Sequence, residues 1–559
     1  MRSWRRLLPL LLLPFVACGG DDDPVPTTVG TNVDDWRDRV VYELLVDRFD
    51  NGDRSNDLAD GFPPVPGDLS RFQGGDWRGV AQRLDYLAGL GVSAIWISPV
   101  VQNVPSTEGE DGYHGYWASD FITPNPRFGT MQELADLVRE AHARDIAVIV
   151  DVVTNHTGRV FDYDLDGDGA YEPGEIEPPF LADGPYDTPL LWYFDPPRLF
   201  ASEAEDILTL GPEHFHRRGL GGMGEVARAL SDFPTGLRDL STEREDVLAA
   251  LVATYAWWVR KTDVDGFRID AVPHVEHAFW APFCERLRAR LAAMGKHRFL
   301  LLGEVFTSDP ARLSSFTEAG MLDAVFDFSL KFDLIDGVIL GGAPPADARG
   351  VLTTHRELYQ DAPQPMGVEL TPWQARVAFA DNHDTWRLRA EVDDWFAVAL
   401  ALTVVFTVDA VPALYYGTEL DFDGTNHHAA RELLWESGFP TDGNTYRFIA
   451  RLAALRRGSV ALRYGSLELR YASEHGGRES EEDASMLAWE RHHEGERVLV
   501  ALNAHAAQSS RATVPTGFAP GTVLRDALEG SSIDTLVAED GSVELELLPR
   551  SSVVLMPAE

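Results

Sequence analysis

The sequence predicts an α/β protein: a (β/α)8 TIM barrel with a domain inserted after its third strand and an antiparallel β-sandwich at its C-terminal end. Three observations carry this expectation. Short β-rich runs alternate with amphipathic segments until eight candidate strands have accumulated, the number that closes a parallel barrel. A polar segment, 157–244, separates the third run from its helix and is far longer than an ordinary connection. From 459 onward the apolar period falls to two, with no helical spacing.

At 559 residues the chain exceeds a single ordinary core. Its 45% hydrophobic and 25% charged content is that of a globular protein. A formal net charge of -41 excludes nucleic acid, whose phosphates need Lys and Arg to displace their counterions. A neutral or cationic ligand fits better.

The elements follow in order. Residues 1–17 read as an export signal, with Arg2, Arg5 and Arg6 before an apolar run, 7–16, too short to span a bilayer. The run ends in "FVAC", which resembles a bacterial lipobox. That resemblance implies cleavage before Cys18, lipidation of its thiol, and a flexible tether over 18–35 that begins "GGDDDPVP". The protein is then expected to be exported and held on a membrane at the cell surface or in the periplasm. Gly19, rather than Asp, after Cys18 points to the outer membrane. The only other cysteine is Cys284, read as a buried small hydrophobe.

The first part of the barrel, 36–156, opens with a strand over 40–49 in "VVYELLVDRF" and a helix over 77–90. "SAIWISPV" precedes a helix over 131–144, and "DIAVIVDVV" supplies the third strand. The inserted domain, 157–244, is rich in Pro, Gly and acids. The second part, 245–458, starts with the helical "EDVLAALVATYAWWVRK". Its strands are "GFRID", "FLLLGEVF", "DAVFDF", "ARVAFADNHD" and "VPALYYGTEL". The final domain, 459–559, carries "SLELRYAS", "SMLAWERH", "RVLVALNA" and "SVELELLP", the alternation of a sandwich.

Side chains two apart on a strand share a face, so Arg268 and Asp270 in "GFRID" are neighbours. Alone, such a pair is most simply a structural salt bridge. Other strands, however, end in the same kind of residue: Asp151, Asn155 and His156 after the third, Glu304 after the fifth, His383 and Asp384 after the seventh. A barrel of this kind exposes its working groups at the C-terminal strand ends.

Seven motifs in order, "GVSAIWISPV", "YHGYW", "DVVTNH", "GFRIDAVPH", "GEVF", "FADNHD" and "VPALYYGTE", resemble the α-amylase family of glycoside hydrolases. The resemblance implies that Asp270 is the nucleophile, Glu304 the general acid and base, and Asp384 a third carboxylate at the transition state. It implies substrate contacts from Tyr116, His156 and His383, with Arg268 orienting Asp270 and with His114 and Arg387 as further candidates. An oxocarbenium-like transition state needs an ionised carboxylate beneath the sugar carbon and a protonated one beside the leaving oxygen. Pro273 replaces the Lys that many endo-acting and transferring members carry before the histidine, and Thr235 stands roughly where cyclising members have a central aromatic, which favours water as acceptor; Phe233 is the alternative source of that ring. The expected activity is retaining, internal hydrolysis of α-1,4-glucans by a monomer. The alternatives are a cyclomaltodextrinase or neopullulanase-like specificity, or transglycosylation. A non-catalytic glucan-binding protein on the same scaffold is the reading from another class, and such relatives lack a carboxylate that this chain retains.

Calcium is the expected ion, because the candidate ligands are oxygens. "DLDGDGAYEPGE", 164–175, matches the calcium-loop pattern D-x-D-x-D-G-x5-E. It offers Asp164, Asp166, Asp168, the carbonyl of Ala170 and Glu175, although Pro173 interrupts any following helix. "NGDRSND" with "GGD" is similar to a calcium site of cyclodextrin-acting members. That likeness implies ligation by Asn51, Asp53, Asn56, Asp57, Asp76 and the carbonyl of Gly74; an Asn- and Asp-rich turn is the rival reading. The family's shared calcium would use Asn155, Asp239 and the carbonyl of His274.

Overall fold

The computed structural model describes residues 28–558 except 62, 171, 223 and 529–533. The expected export signal, Cys18 and the first part of the tether lie outside the described residues.

The eight barrel strands are β1 (Val41–Leu44), β2 (Ala94–Ile97), β3 (Ala147–Val153), β4 (Gly266–Asp270), β5 (Leu300–Gly303), β6 (Ala324–Val325), β7 (Val377–Ala378) and β8 (Val411–Tyr415). Each pairs in parallel with its chain neighbour, and β1 also pairs with β8. A parallel bridge from Phe326 to Val377 joins β6 to β7 and closes the cylinder. Val41, Ala94, Ala147, Ile149, Leu300, Leu302, Val377 and Val411 fill its inside. The alternate residues Tyr42, Ile95, Val148, Phe267 and Leu301 pack outward against the helical layer. Both faces are buried, so these strands are continuously apolar and carry polar groups only where they end.

Three local expectations are corrected. The first strand stops at Leu44, and Val46–Phe49 is a single helical turn. The turn aims the buried Asp47 carboxylate at the amides of Gln73 and Gly74. The helix expected over 77–90 is two, Trp77–Gln82 and Leu84–Leu90, broken at Arg83, whose Nε is fixed to Asp50 at 2.5 Å. The end of the expected tether is not loose: Gly30 N donates to Asp263 at 3.0 Å, Asn32 reaches Asp263 and Asp265, and Val33 is buried.

Between β3 and the helix Glu245–Thr262 the chain makes short antiparallel ribbons: Phe161–Tyr163 with Leu190–Trp192, Arg198–Phe200 with Ile207–Thr209, and His156–Thr157 with Arg238–Asp239. Arg238, fully buried, ties the last of these ribbons to the first through Asp162 and also pairs with Asp232, each at 2.8 Å. At the C-terminal end lies an antiparallel sheet of six strands, β9 (Ser466–Ala472), β10 (Met486–His493), β11 (Glu496–Asn503), β13 (Val523–Asp526), β14 (Asp534–Leu536) and β16 (Ser551–Pro557). A two-stranded sheet, β12 (Ser510–Pro515) with β15 (Ser542–Leu547), faces it. Ala488, Leu499, Val514, Leu524, Leu545 and Val553 fill the space between, which makes the expected sandwich. No described helix is long and apolar enough to cross a membrane.

Candidate active site

Arg268 and Asp270 leave β4 on one side, as their spacing requires, and the Arg268 guanidinium is the hub of the rim. It donates to Asp270 Oδ1 at 2.8 Å and to both oxygens of Asp151 at 3.0 Å, and its second terminal nitrogen lies 3.3 Å from Glu304 Oε2. Three carboxylates from β3, β4 and the end of β5 therefore share one buried cation. Directly after Asp270, Ala271 adopts a left-handed φ of 51°, rare for a residue with a side chain. That turn directs its amide at Glu304 Oε2, 2.9 Å away.

Burial pushes the Glu304 carboxyl up to about 7; Arg268 and the Ala271 amide oppose the rise, and Asp270 and Asp384 add to it. Asp151 is raised to about 6, chiefly by burial, with Arg268 opposing. Asp384 goes the other way. Burial works against its charge, yet His383, Arg431 and Arg268 hold it well below the usual carboxylate range.

His383 is fixed from both ring nitrogens: Nδ1 to Glu43 Oε1 at 2.5 Å, Nε2 to Asp384 Oδ2 at 3.1 Å and to the Tyr116 hydroxyl at 3.0 Å. Burial favours the neutral ring, but Asp384 and Glu43 raise it to about 10, so it is an imidazolium. Tyr116 lies nearly parallel to His383, at 11° and 5.4 Å between centroids, and donates to Asp151 at 2.7 Å. His156 is buried and lowered by burial, and its Nε2 has no protein partner. His114 accepts from the Tyr116 amide at 3.1 Å and is lowered, mainly by burial and by Arg431.

Arg387 is a correction. It is fully buried, paired with Glu432 at 2.9 Å and stacked over Tyr415 at 3.9 Å, so its charge serves the barrel wall rather than a ligand. The reading of sequence missed Glu43, Arg431 and the role of Asp151, whose partners come from distant segments. It also missed two rings open at the mouth, Phe306 at 53% exposure and Trp386 at 55%. Each follows a candidate carboxylate by two residues, which is the signal that would have found them.

The metal sets differ in how well they fit calcium. Asp164, Asp166 and Asp168 offer oxygens within 4.8 Å of one another. In the second set Asn51 Nδ2 donates to Asp57 Oδ1 at 2.9 Å, and the Oδ1 atoms of Asn51 and Asn56 are buried without a partner. Gly74, at φ 103°, lets the backbone approach: a Cβ there would lie 2.6 Å from both Asn51 Nδ2 and Asp57 Oδ1. Two members are otherwise engaged. Asp76 caps Gly79 N and accepts from Asp53 N, and Asp53 pairs with Arg78 at 2.8 Å. The third set fits poorly. Asp239 Oδ2 is bound to His216 Nδ1 at 2.5 Å, whose Nε2 lies 2.8 Å from Glu243 and 3.3 Å from Glu276. A histidine side chain thus bridges the carboxylates there. Asn155 Nδ2 lies 3.2 Å from the His156 ring, and the His274 ring packs on Phe233 at 4.7 Å between centroids.

Carboxylates from several strand ends, gathered around one arginine at the mouth of a (β/α)8 barrel, define a barrel of the glycoside hydrolase class. The chain belongs to the α-amylase family, matching the family's model, "Alpha amylase, catalytic domain", over 43–186 and 225–442. It is 30% identical to an α-amylase of Streptomyces lividans over 90% of this chain and 58% of that one. It is 29% identical to a β/α-amylase of Paenibacillus polymyxa over 94% of this chain and 38% of that one. The chain thus spans less than two thirds of either curated relative. A γ-cyclodextrin glucanotransferase (γ-CGTase) of the alkalophilic Bacillus clarkii superposes with a TM-score of 0.73 at 26% identity, over 95% of this chain and 71% of that one.

Proposed function

We propose that the chain hydrolyses α-1,4-glucosidic bonds within starch-like glucans, with retention, through a covalent glycosyl-enzyme. The observation that carries this reading is the sharing of Arg268 by Asp270 and Glu304, which holds the two carboxyl groups together but in different states. Asp270 has a cation at 2.8 Å, while burial keeps Glu304 protonated up to about pH 7. Glu304 gives its proton to the glycosidic oxygen as the bond to the sugar carbon breaks, and an Asp270 oxygen bonds that carbon. In the second step Glu304, now a carboxylate, takes a proton from water. The hydroxide oxygen bonds the carbon and Asp270 leaves as a carboxylate. Asp384, ionised, and the His383 imidazolium hold hydroxyls of the distorted sugar. The unpartnered His156 Nε2 supports a further hydroxyl contact.

A second reading, transfer to a sugar acceptor, is favoured by Phe233. Thr235 is exposed and remote in kind, but the Phe233 ring stacks on His156 at 5.2 Å and 28°, so an aromatic does line the inserted wall. Time-resolved products from starch, pullulan and cyclodextrin test both readings. Early large fragments from starch support internal hydrolysis; cyclic products or preferential ring opening replace it with the second. Reducing-sugar release unchanged in Glu304→Gln removes the catalytic reading altogether.

A further inference from the structure

We infer that the loop 164–175 is a calcium-binding site that fastens the inserted wall of the cleft. The acidic pattern alone does not carry this, since exposed acidic turns are common. Two buried atoms do. Asp164 and Glu175, the first and twelfth loop positions, are each only 4% exposed, and Asp164 Oδ1 and Glu175 Oε2 have no hydrogen-bond partner. An unpaired carboxylate oxygen out of water is costly unless a cation meets it.

The remaining oxygens of these two groups are held by backbone amides of the loop itself. Glu175 Oε1 accepts from Leu165 N at 2.6 Å, which pins the glutamate beside Asp164. Asp164 Oδ2 accepts from Gly169 N at 3.2 Å. Gly169, sixth in the loop, has φ 75°, the conformation that the sharp turn of a calcium loop needs at that position. Asp166 and Asp168 accept from Asp168 N and Ala170 N and remain exposed, open to a cation from solvent. The ligands are hard oxygens of four carboxylates and one carbonyl, a set and a flexible turn that suit calcium better than the smaller, octahedral magnesium. One oxygen of Glu175 is already engaged and no helix follows the loop, so affinity falls in the range of extracellular calcium modules, on the order of 10⁻⁴ to 10⁻³ M.

The loop joins two parts of the wall. It begins at the ribbon strand Phe161–Tyr163 and ends beside Ile176, which packs under Gly236. The next residue, Glu177, accepts from Thr235 N at 2.6 Å. The turn from Phe233 to Leu237 therefore rests on the exit of the loop, and Phe233 in turn rests on His156.

The test compares the full chain with Asp166→Asn/Asp168→Asn, whose changed side chains are exposed and close in shape to the originals. Both are stripped with chelator, returned to equimolar buffer and titrated with calcium by equilibrium dialysis up to about 5 mM. The variant is expected to bind one ion fewer per chain, or that ion at least tenfold more weakly, with an unchanged circular dichroism spectrum. Calcium is expected to slow proteolytic nicking within 157–244 in the parent and not in the variant. Equal calcium binding by the two proteins, or any weakening short of tenfold, overturns the inference. A parent that binds no calcium does so as well.

Discussion

Arg431 reaches Asp384 at 3.3 Å from a loop beyond β8, while its Nε holds the carbonyl of His383 at 3.2 Å. One guanidinium thus fixes both the third carboxylate and the histidine before it. Arg431→Lys keeps a charge but not the fork. Its kcat/KM on starch is expected to fall about tenfold to hundredfold, the cost of a misplaced reacting group. Asp384 has its pKa depressed, in part by this arginine, so weakening the contact raises it and moves the acid limb of the kcat/KM profile to higher pH. A smaller rate with an unmoved acid limb would mean that Arg431 acts only in packing.

Glu304 sets the opposite limb. Its carboxyl is raised to about 7, so the protonated acid persists below that value and is lost as pH rises through it. The alkaline limb of kcat/KM is expected near pH 7, and Glu304→Gln is expected to lose about 10² to 10⁴ in kcat. Because the carboxyl is raised from 4.5 to about 7, the parent loses stability as pH rises between those values, so the same variant should melt higher than the parent at pH 8, with the difference shrinking toward pH 4. Melting curves at the two pH values check the sign.

The Phe233 ring stands on the inserted wall beside His156, 5.2 Å between centroids. Phe233→Ala is expected to raise KM for maltooligosaccharides about three- to tenfold, the worth of one stacked contact. The ratio of transfer to hydrolysis products should fall with it. An unchanged ratio would assign Phe233 to support of His156 alone.

Chelation is expected to lower stability through the cluster of Asn51, Asn56, Asp57 and Gly74. A ligand at a hundred times its Kd stabilises by about 2.7 kcal/mol, and removal forfeits that. Asp57→Asn should melt lower than the parent in calcium and equal to it in chelator.

The barrel was legible because eight apolar runs with polar ends survive in any local reading, and the carboxylates of β4, β5 and β7 stand within them. Phe267 and Ile269 dictated the strand, so the side of Arg268 and Asp270 followed. What remained hidden was pairing between distant segments. Nothing near Glu43 announces that it will hold His383, and "HFHRRG" gives no hint that His216 will sit between Asp239 and two glutamates. Arg387 misled for the reverse reason: it stands three residues after Asp384, but the rings of Tyr415 and Tyr416 enclose it. The break at Arg83 depended on Asp50, across a connection that local periodicity does not register.

The segment at 28–35 fixes where the described chain enters the barrel. It is stapled to Asp263 and Asp265, just ahead of β4, and Trp36 seals against the carbonyl of Arg298, just ahead of β5. The chain therefore enters at the floor of the cylinder, on the far side from Asp270 and Glu304. The described start of the chain therefore takes no part in the rim that carries Asp270 and Glu304.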